Sequence, residues 1–212
     1  MRDLFDPLFE YAESVSGPVP SYLHEVERQT YLKTLAPQMM SGRLQGRVLA
    51  LLSKLVRPRT ALEIGTFTAY GTLCLAEGLR EDGVLHTIEG DPERAALAER
   101  HIAGSPFHDR VKLHVGDAGE ILTNLQPPFD LIFLDGDKRG YPDHYRTLVD
   151  RLTPGGLLIA DNVLWDGKTA NRGDDRVANR LRTYNTMLRD DPRVEVTVLP
   201  LRDGLSIARK RL

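Results

Sequence analysis

The chain has 212 residues, 41% of them hydrophobic and 27% charged, with a formal net charge of -2. That length buries one full core and is too short for two comfortable enzymatic domains, so a single domain over 1–212 is expected. Acids and bases are interspersed without a long run of like charge, which argues against a nucleic-acid partner. Cys74 is the only cysteine, so neither an internal disulfide nor a thiolate metal cluster can form, and its apolar surroundings mark a buried residue. Residues 1–17 carry Asp3, Asp6 and Glu10 and no apolar stretch of signal-peptide or membrane-spanning length. The expectation is a soluble, cytoplasmic protein that does not engage a membrane.

Residues 20–35 and 44–56 read as two helices joined by a loop at 36–43 rich in small residues. The first 57 residues thus form a helical cover ahead of an α/β core at 58–212. From 61 to 160 short apolar runs alternate with helical patterns, the signature of a parallel sheet covered by helices. Strands are expected at 61–64, 85–89, 111–115, 131–134 and 157–160, with helices at 70–79, 92–103, 118–125 and 142–152 between them. Pro92 and Pro142 suit first helical turns, and Asp91 and Asp117 suit caps. A longer helix covers 174–189. Segments 194–199 and 205–208 then flank Asp203-Gly204, a hairpin signal, so an antiparallel pair closes the sheet. The whole reads as an α/β fold: a doubly wound, mostly parallel seven-stranded sheet with a C-terminal antiparallel hairpin.

In such sheets ligands bind beyond the carboxyl ends of the strands. After the first strand comes Glu63-Ile64-Gly65-Thr66-Phe67-Thr68-Ala69-Tyr70-Gly71. Gly65 lets backbone approach a ligand, whereas the carboxylate of Glu63 repels phosphate and attracts an ammonium or sulfonium. S-adenosylmethionine carries both cations. The second strand ends in Glu89 at the spacing of an acid that accepts from ribose hydroxyls. The third ends in Gly116-Asp117-Ala118, where Asp117 meets an adenine edge and Ala118 leaves the ring room. Taken singly, Gly65 is also a tight turn, and Glu89 and Asp117 are also solvated caps; three such positions at successive strand ends point to adenosine.

The fourth strand delivers Asp135, Gly136, Asp137 and Lys138, and the fifth delivers Asp161 and Asn162. Asp135, Asp161 and Asn162 offer two carboxylates and an amide oxygen, a set that suits Mg²⁺ and also admits Mn²⁺ or Ca²⁺. Either aspartate taken alone reads better as a helix cap, and the adjacent Asn162 and Lys138 tip the balance toward the metal. A phenolic hydroxyl, with a pKa of roughly 10, must lose its proton to become a nucleophile. A dication lowers that pKa and Lys138, the candidate base, takes the proton; Lys138 also reads as an exposed lysine stabilising an anionic site. Methyl transfer then needs in-line placement of oxygen, methyl and sulfur.

These residues resemble the cation-dependent O-methyltransferases, the family of catechol and caffeoyl-coenzyme A O-methyltransferases, from about Met39 to the C-terminus. The markers are Met-Ser-Gly-Arg-Leu-Gln-Gly at 40–46, Leu-Glu-Ile-Gly-Thr-Phe-Thr at 62–68, Thr-Ile-Glu at 87–89, Leu-Asp-Gly-Asp-Lys at 134–138, Ala-Asp-Asn-Val-Leu-Trp-Asp-Gly at 160–167 and Asp-Gly-Leu at 203–205. The resemblance implies a Rossmann-like methyltransferase fold, a phenolic small-molecule acceptor with vicinal hydroxyls, and a homodimer. It assigns Asp135, Asp161 and Asn162 to the metal and Lys138 to the base. Glu63, Gly65, Thr66, Tyr70, Gly71, Glu89, Asp117, Ala118 and Asp135 fall to the cofactor, and it adds Ser41 and Asp137. Asp135, Lys138, Trp165 and Asp166 face the acceptor, and the loop at 166–176 selects it.

The chain departs from the family pattern at two places. Ala69-Tyr70-Gly71 stands where relatives usually have Gly-Tyr-Ser, which removes a hydroxyl aimed at the cofactor's methionyl end. Ser206 stands where the animal catechol enzyme holds a substrate hydroxyl with an acid. Competing readings are a phosphatase of the haloacid-dehalogenase type, from Asp135-Gly136-Asp137, a nicotinamide oxidoreductase, and a non-catalytic binding protein on the same fold. The first normally places its acid pair after the first strand, the second lacks a second phosphate-facing glycine, and intact Lys138 and the metal triad speak against the third.

Overall fold

The computed structural model describes residues 2–125, 128–171 and 173–212, with side chains described from Pro7 onward. Helices α1 (Arg2–Ser14), α2 (Ser21–Lys33) and α3 (Gly42–Val56) precede the first strand. There follow β1 (Thr60–Ile64), α4 (Tyr70–Ala76), β2 (Val84–Glu89), α5 (Pro92–Ala103), β3 (Val111–Val115), α6 (Ala118–Asn124), β4 (Phe129–Leu134), α7 (Tyr141–Arg151) and β5 (Leu152–Ala160). The chain closes with α8 (Arg176–Asp190), β6 (Val194–Leu199) and β7 (Leu205–Lys210). Among the described residues no helix is long and apolar enough to cross a membrane.

The seven strands lie in the order β3-β2-β1-β4-β5-β7-β6. β1 to β5 pair in parallel, and β7 runs antiparallel to both β5 and β6. Both faces are covered, so the central strands are apolar on both sides and split by the two-residue period. Ala61, Leu131 and Phe133 join the core beneath α2 to α5, while Leu62, Ile64, Ile132 and Leu134 join the core beneath α6 to α8. Cys74 is buried in the first core, as expected. Strand order reverses between β1 and β4, which places a crevice beyond their carboxyl ends, where the following loops lead to opposite faces of the sheet.

Several boundaries differ from the sequence reading. Pro7, a breaker within the second turn, hides α1 from a pattern-based reading. β5 starts five residues early because Leu152 pairs with Phe129, carrying the strand through Pro154-Gly155-Gly156, which reads locally as a turn. α4 ends at Ala76, three residues short of the expected end. Asp91, Asp117 and Asp175 cap α5, α6 and α8 by accepting from backbone N–H groups of the following turn.

Candidate active site

Each strand-end loop is fixed by the strand beside it. Gly65 N–H donates to Ile88 O at 2.9 Å, Gly116 N–H to Glu89 O at 2.9 Å, Asp135 N–H to Ile64 O at 2.8 Å and Asp161 N–H to Leu134 O at 3.1 Å. Parallel register therefore delivers the residues after β1 to β5 to one edge of the sheet. A Cβ on Gly65, whose φ is +102°, would collide with the Asp135 carbonyl group. The absence of a side chain there lets the ends of β1 and β4 close together.

A cavity of about 770 Å³ opens at this edge. Of the residues expected to contact the cofactor, Gly65, Glu89, Asp117, Ala118, Asp135 and Asp137 line it. A small adjoining recess, about the space of one water, is lined by Ser41, Glu63, Thr66, Tyr70 and Gly71, with Gly65 and Asp135 shared between the two. Lys138, Asp161, Asn162 and Trp165 also line the main cavity. Asp166 does not; its backbone N–H donates to Asp203, which holds the loop after β5. Ser206 is fully buried beside the Tyr184 hydroxyl and is not a cavity residue. The acceptor loop expected at 166–176 includes Arg172, which lies outside the described residues.

At the β1 end Glu63 is buried, and its Oε2 accepts from Thr72 Oγ1 at 2.5 Å and Thr87 Oγ1 at 2.6 Å. Burial pushes the carboxyl up to about 8, against the pull of the two hydroxyls. A Cβ on Gly71 would stand 3.1 Å from Glu63 Oε1 and 3.2 Å from Ser41 Oγ. The missing side chain thus leaves the acid and the Ser41 hydroxyl facing each other across open backbone. Glu89 accepts from Phe67 N–H at 2.7 Å and Asp91 N–H at 3.0 Å, which fixes its plane and leaves lone pairs for a ligand. Asp137 is held by the Arg139 guanidinium, which keeps its carboxyl below the usual range.

At the β4 and β5 ends Asp135 Oδ1 accepts from Lys138 Nζ at 2.7 Å. Burial pushes the Asp135 carboxyl up to about 6; Lys138 opposes this and the charge of Asp161 adds to it. The Tyr141 hydroxyl bridges Leu134 O at 2.9 Å and Asp161 O at 3.0 Å, tying the two strand ends together. Asp135 and Asp161 share one cavity, with Lys138 and Arg202 opposing the charge of Asp135; two carboxylates are oxygen donors of the kind that fits a divalent ion. Among the described residues no group of three His, Cys, Asp or Glu gathers around one point, so an amide oxygen such as that of Asn162 is needed to complete a set. Asn162 has a φ of +59°, and its Nδ2 reaches Asp203 Oδ2 at 3.5 Å.

A family model described as O-methyltransferase matches residues 13–211. The chain belongs to the O-methyltransferase family. The match begins well ahead of the motif at 40–46, so α2 and α3 lie within what this O-methyltransferase shares with the family. A catechol O-methyltransferase of Niastella koreensis is 34% identical over 174 residues, 77% of this chain and 79% of the relative. A caffeoyl-CoA O-methyltransferase of Populus kitakamiensis is 32% identical over 178 residues, 78% and 76% of the two chains. The crystal structure of an O-methyltransferase from Bacillus cereus in complex with SAH matches over the whole of both chains, with a TM-score of 0.92 at 30% identity. The phosphatase, oxidoreductase and binding-protein readings fall with this result.

Sequence reasoning missed Met39, Phe67, Arg94, His144 and Arg202, which also line the cavity of this O-methyltransferase. Phe67 follows Thr66 with a φ of +50°, and Arg202 precedes the Asp203-Gly204 turn with the same φ. Left-handed backbone at non-glycine residues clusters on the loops around this cavity, at Phe67, Ala69, Asn162, Trp165, Asp166 and Arg202. No sequence signal marks such residues, because glycine is the usual flag for that conformation.

Proposed function

We propose that this O-methyltransferase transfers a methyl group from S-adenosylmethionine to one hydroxyl of a small molecule bearing a vicinal dihydroxyphenyl group, with a divalent cation. One observation carries this: Asp135 and Asp161 face the same cavity that Gly65, Glu89 and Ala118 line, so cofactor and acceptor positions meet at one sheet edge. The complex of a similar enzyme with SAH, the demethylated form of that cofactor, supports the cofactor assignment, and the catechol and caffeoyl-CoA relatives support the acceptor class.

Glu89 holds the ribose hydroxyls, Asp117 and Ala118 flank the adenine, and Ser41, Glu63, Thr66, Tyr70, Gly71 and Asp137 enclose the methionyl end. Asp135, Asp161 and Asn162 hold the cation, Mg²⁺ foremost, with Mn²⁺ or Ca²⁺ suited to the same oxygens. When bound, it supplies Lewis acidity at the acceptor hydroxyl. Lys138, on the same carboxylate, stands to receive the hydroxyl proton at Nζ once it has shed its own proton and is the neutral amine. Trp165 walls the acceptor side, with Asp166 shaping the loop beyond it. The whole chain acts as one catalytic domain in the cytoplasm, the helices of 1–57 covering the 58–212 core. Its N-terminal helices expose Tyr11, Tyr31, Leu32, Leu51 and Leu55, which suits a homodimer contact.

The test is methyl transfer from labelled S-adenosylmethionine to a catechol panel, with Mg²⁺ and with chelator, in the native enzyme and in Asp161→Ala. Loss of turnover with chelator and in the variant is expected. Full turnover in chelator rules out the cation, and absence of both turnover and calorimetric cofactor binding rules out the methyl donor. Light scattering at micromolar concentration reads the dimer.

A further inference from the structure

Asp161 is gripped from two sides. Its Oδ1 accepts from Asn162 N–H at 2.7 Å, a local contact, and its Oδ2 accepts from Gln45 Nε2 at 2.7 Å, across 116 positions of chain. A carboxylate only accepts, so the atom that Gln45 turns toward it is the amide nitrogen. That leaves Gln45 Oε1 buried with no donor, on a side chain that is 0% exposed. A half-satisfied buried amide is a poorer core residue than an apolar one of the same shape. Packing therefore does not account for Gln45. What the amide does is orient a carboxylate without neutralising it, whereas Lys138 at Asp135 brings a full opposing charge.

The placement of Gln45 is itself controlled. Ser41, the residue that opens α3, lies four positions earlier on the same helix face. One face of α3 thus presents Ser41 to the recess beside Glu63 and Gln45 to Asp161. Arg202 donates to the carbonyls of Gln38, Met40 and Ser41, pinning the start of that helix to the turn between β6 and β7.

We propose that Gln45 is a positioning residue for Asp161, setting its carboxylate toward the divalent cation from the N-terminal helical cover. The proposal rests on the cation reading above. Manganese serves as the probe: Mn²⁺ affinity is measured by electron paramagnetic resonance on the full chain for the native enzyme, Asp161→Ala, Gln45→Met and Gln45→Ala. Cofactor affinity by calorimetry and the melting temperature are read on the same samples.

The expected result is Mn²⁺ binding about tenfold weaker in both Gln45 variants. Gln45→Met, which keeps the volume of the side chain, should retain native cofactor affinity and melting temperature. A merely structural role would lower all three together and overturn the proposal. So would native Mn²⁺ affinity in both Gln45 variants alongside its loss in Asp161→Ala. If the native enzyme and Asp161→Ala both fail to bind Mn²⁺ saturably, the cation reading itself fails and takes this inference with it. Gln45→Asn, which keeps the amide but not its reach, repeats the contrast if the methionine variant does not fold.

Discussion

Glu63→Gln tests the electrostatics of the β1 end. The folded chain holds this carboxyl at about 8 against an ordinary 4.5, with burial as the largest cause. The folded state therefore binds a proton more tightly than the unfolded chain. Stability is undiminished by this group below about 4.5 and falls as pH rises toward 8. Each pH unit in that window costs ~1.4 kcal/mol, so the native acid destabilises the fold by about 3 kcal/mol at neutral pH. Glutamine removes that cost without leaving Thr72 and Thr87 unpaired, because its amide oxygen accepts from both hydroxyls, and its NH₂ group takes the Oε1 side, toward Ser41. The expected gain at neutral pH corresponds to a rise in melting temperature of roughly 6–12 °C for a chain of this size. The gain should shrink to under about 1 kcal/mol near pH 5. The same variant should bind S-adenosylmethionine more weakly than the native chain, by a margin that widens as pH rises toward and past about 8, since only the ionised carboxylate faces the cofactor's cations. Denaturant titrations at two pH values and calorimetry with the cofactor read both effects. A pH-independent change in stability, or tighter cofactor binding, would refute the reasoning.

Ala69 holds a φ of +69° with its side chain fully buried. Ala69→Gly relieves left-handed strain that exceeds the entropy glycine adds to the unfolded chain, and should stabilise by about 0.5–1 kcal/mol in urea titration; a loss of stability would show that the methyl packs better than argued. Gly65→Ala forces a Cβ into the Asp135 carbonyl and should cost more than about 2 kcal/mol, with activity falling in the folded fraction; native stability would contradict the close approach of β1 and β4. Lys138→Met should lower kcat by about a hundredfold or more while cofactor affinity holds, and native turnover would remove Lys138 from the chemistry. Arg202→Ala frees the carbonyls of Gln38, Met40 and Ser41, so amide exchange over 38–42 should accelerate with the sheet unaffected; unchanged exchange would mean that the segment is held from elsewhere.

Much of the core and the cavity was legible in the chain because the physics involved is local. Apolar runs alternating with helical periods specify strands covered on both faces, and the polar residue after each strand has few alternatives to the sheet edge. Gly65, Glu89, Asp117, Asp135 and Asp161 line the cavity, while Glu63, which carries the same strand-end signal, lies in the adjoining recess. The first helix was hidden by Pro7, and the early start of β5 by Pro154-Gly155-Gly156, because local turn chemistry there is overridden by pairing with β4. Trp165 and Asp166 are neighbours, and only the backbone path set by Asp203 decides that the first lines the cavity and the second does not.

The sequence by itself determined the fold class, the parallel order of the ligand-facing loops and the residue types they present, since propensity, period and capping act over a few positions. Tertiary structure alone decided which distant groups meet. Gln45 at Asp161, Arg202 on the carbonyls before α3, and the burial that lifts Glu63 all join residues far apart in the chain. A hydrogen bond or a desolvation cost depends on distance in space, and no local pattern records which remote side chain will arrive.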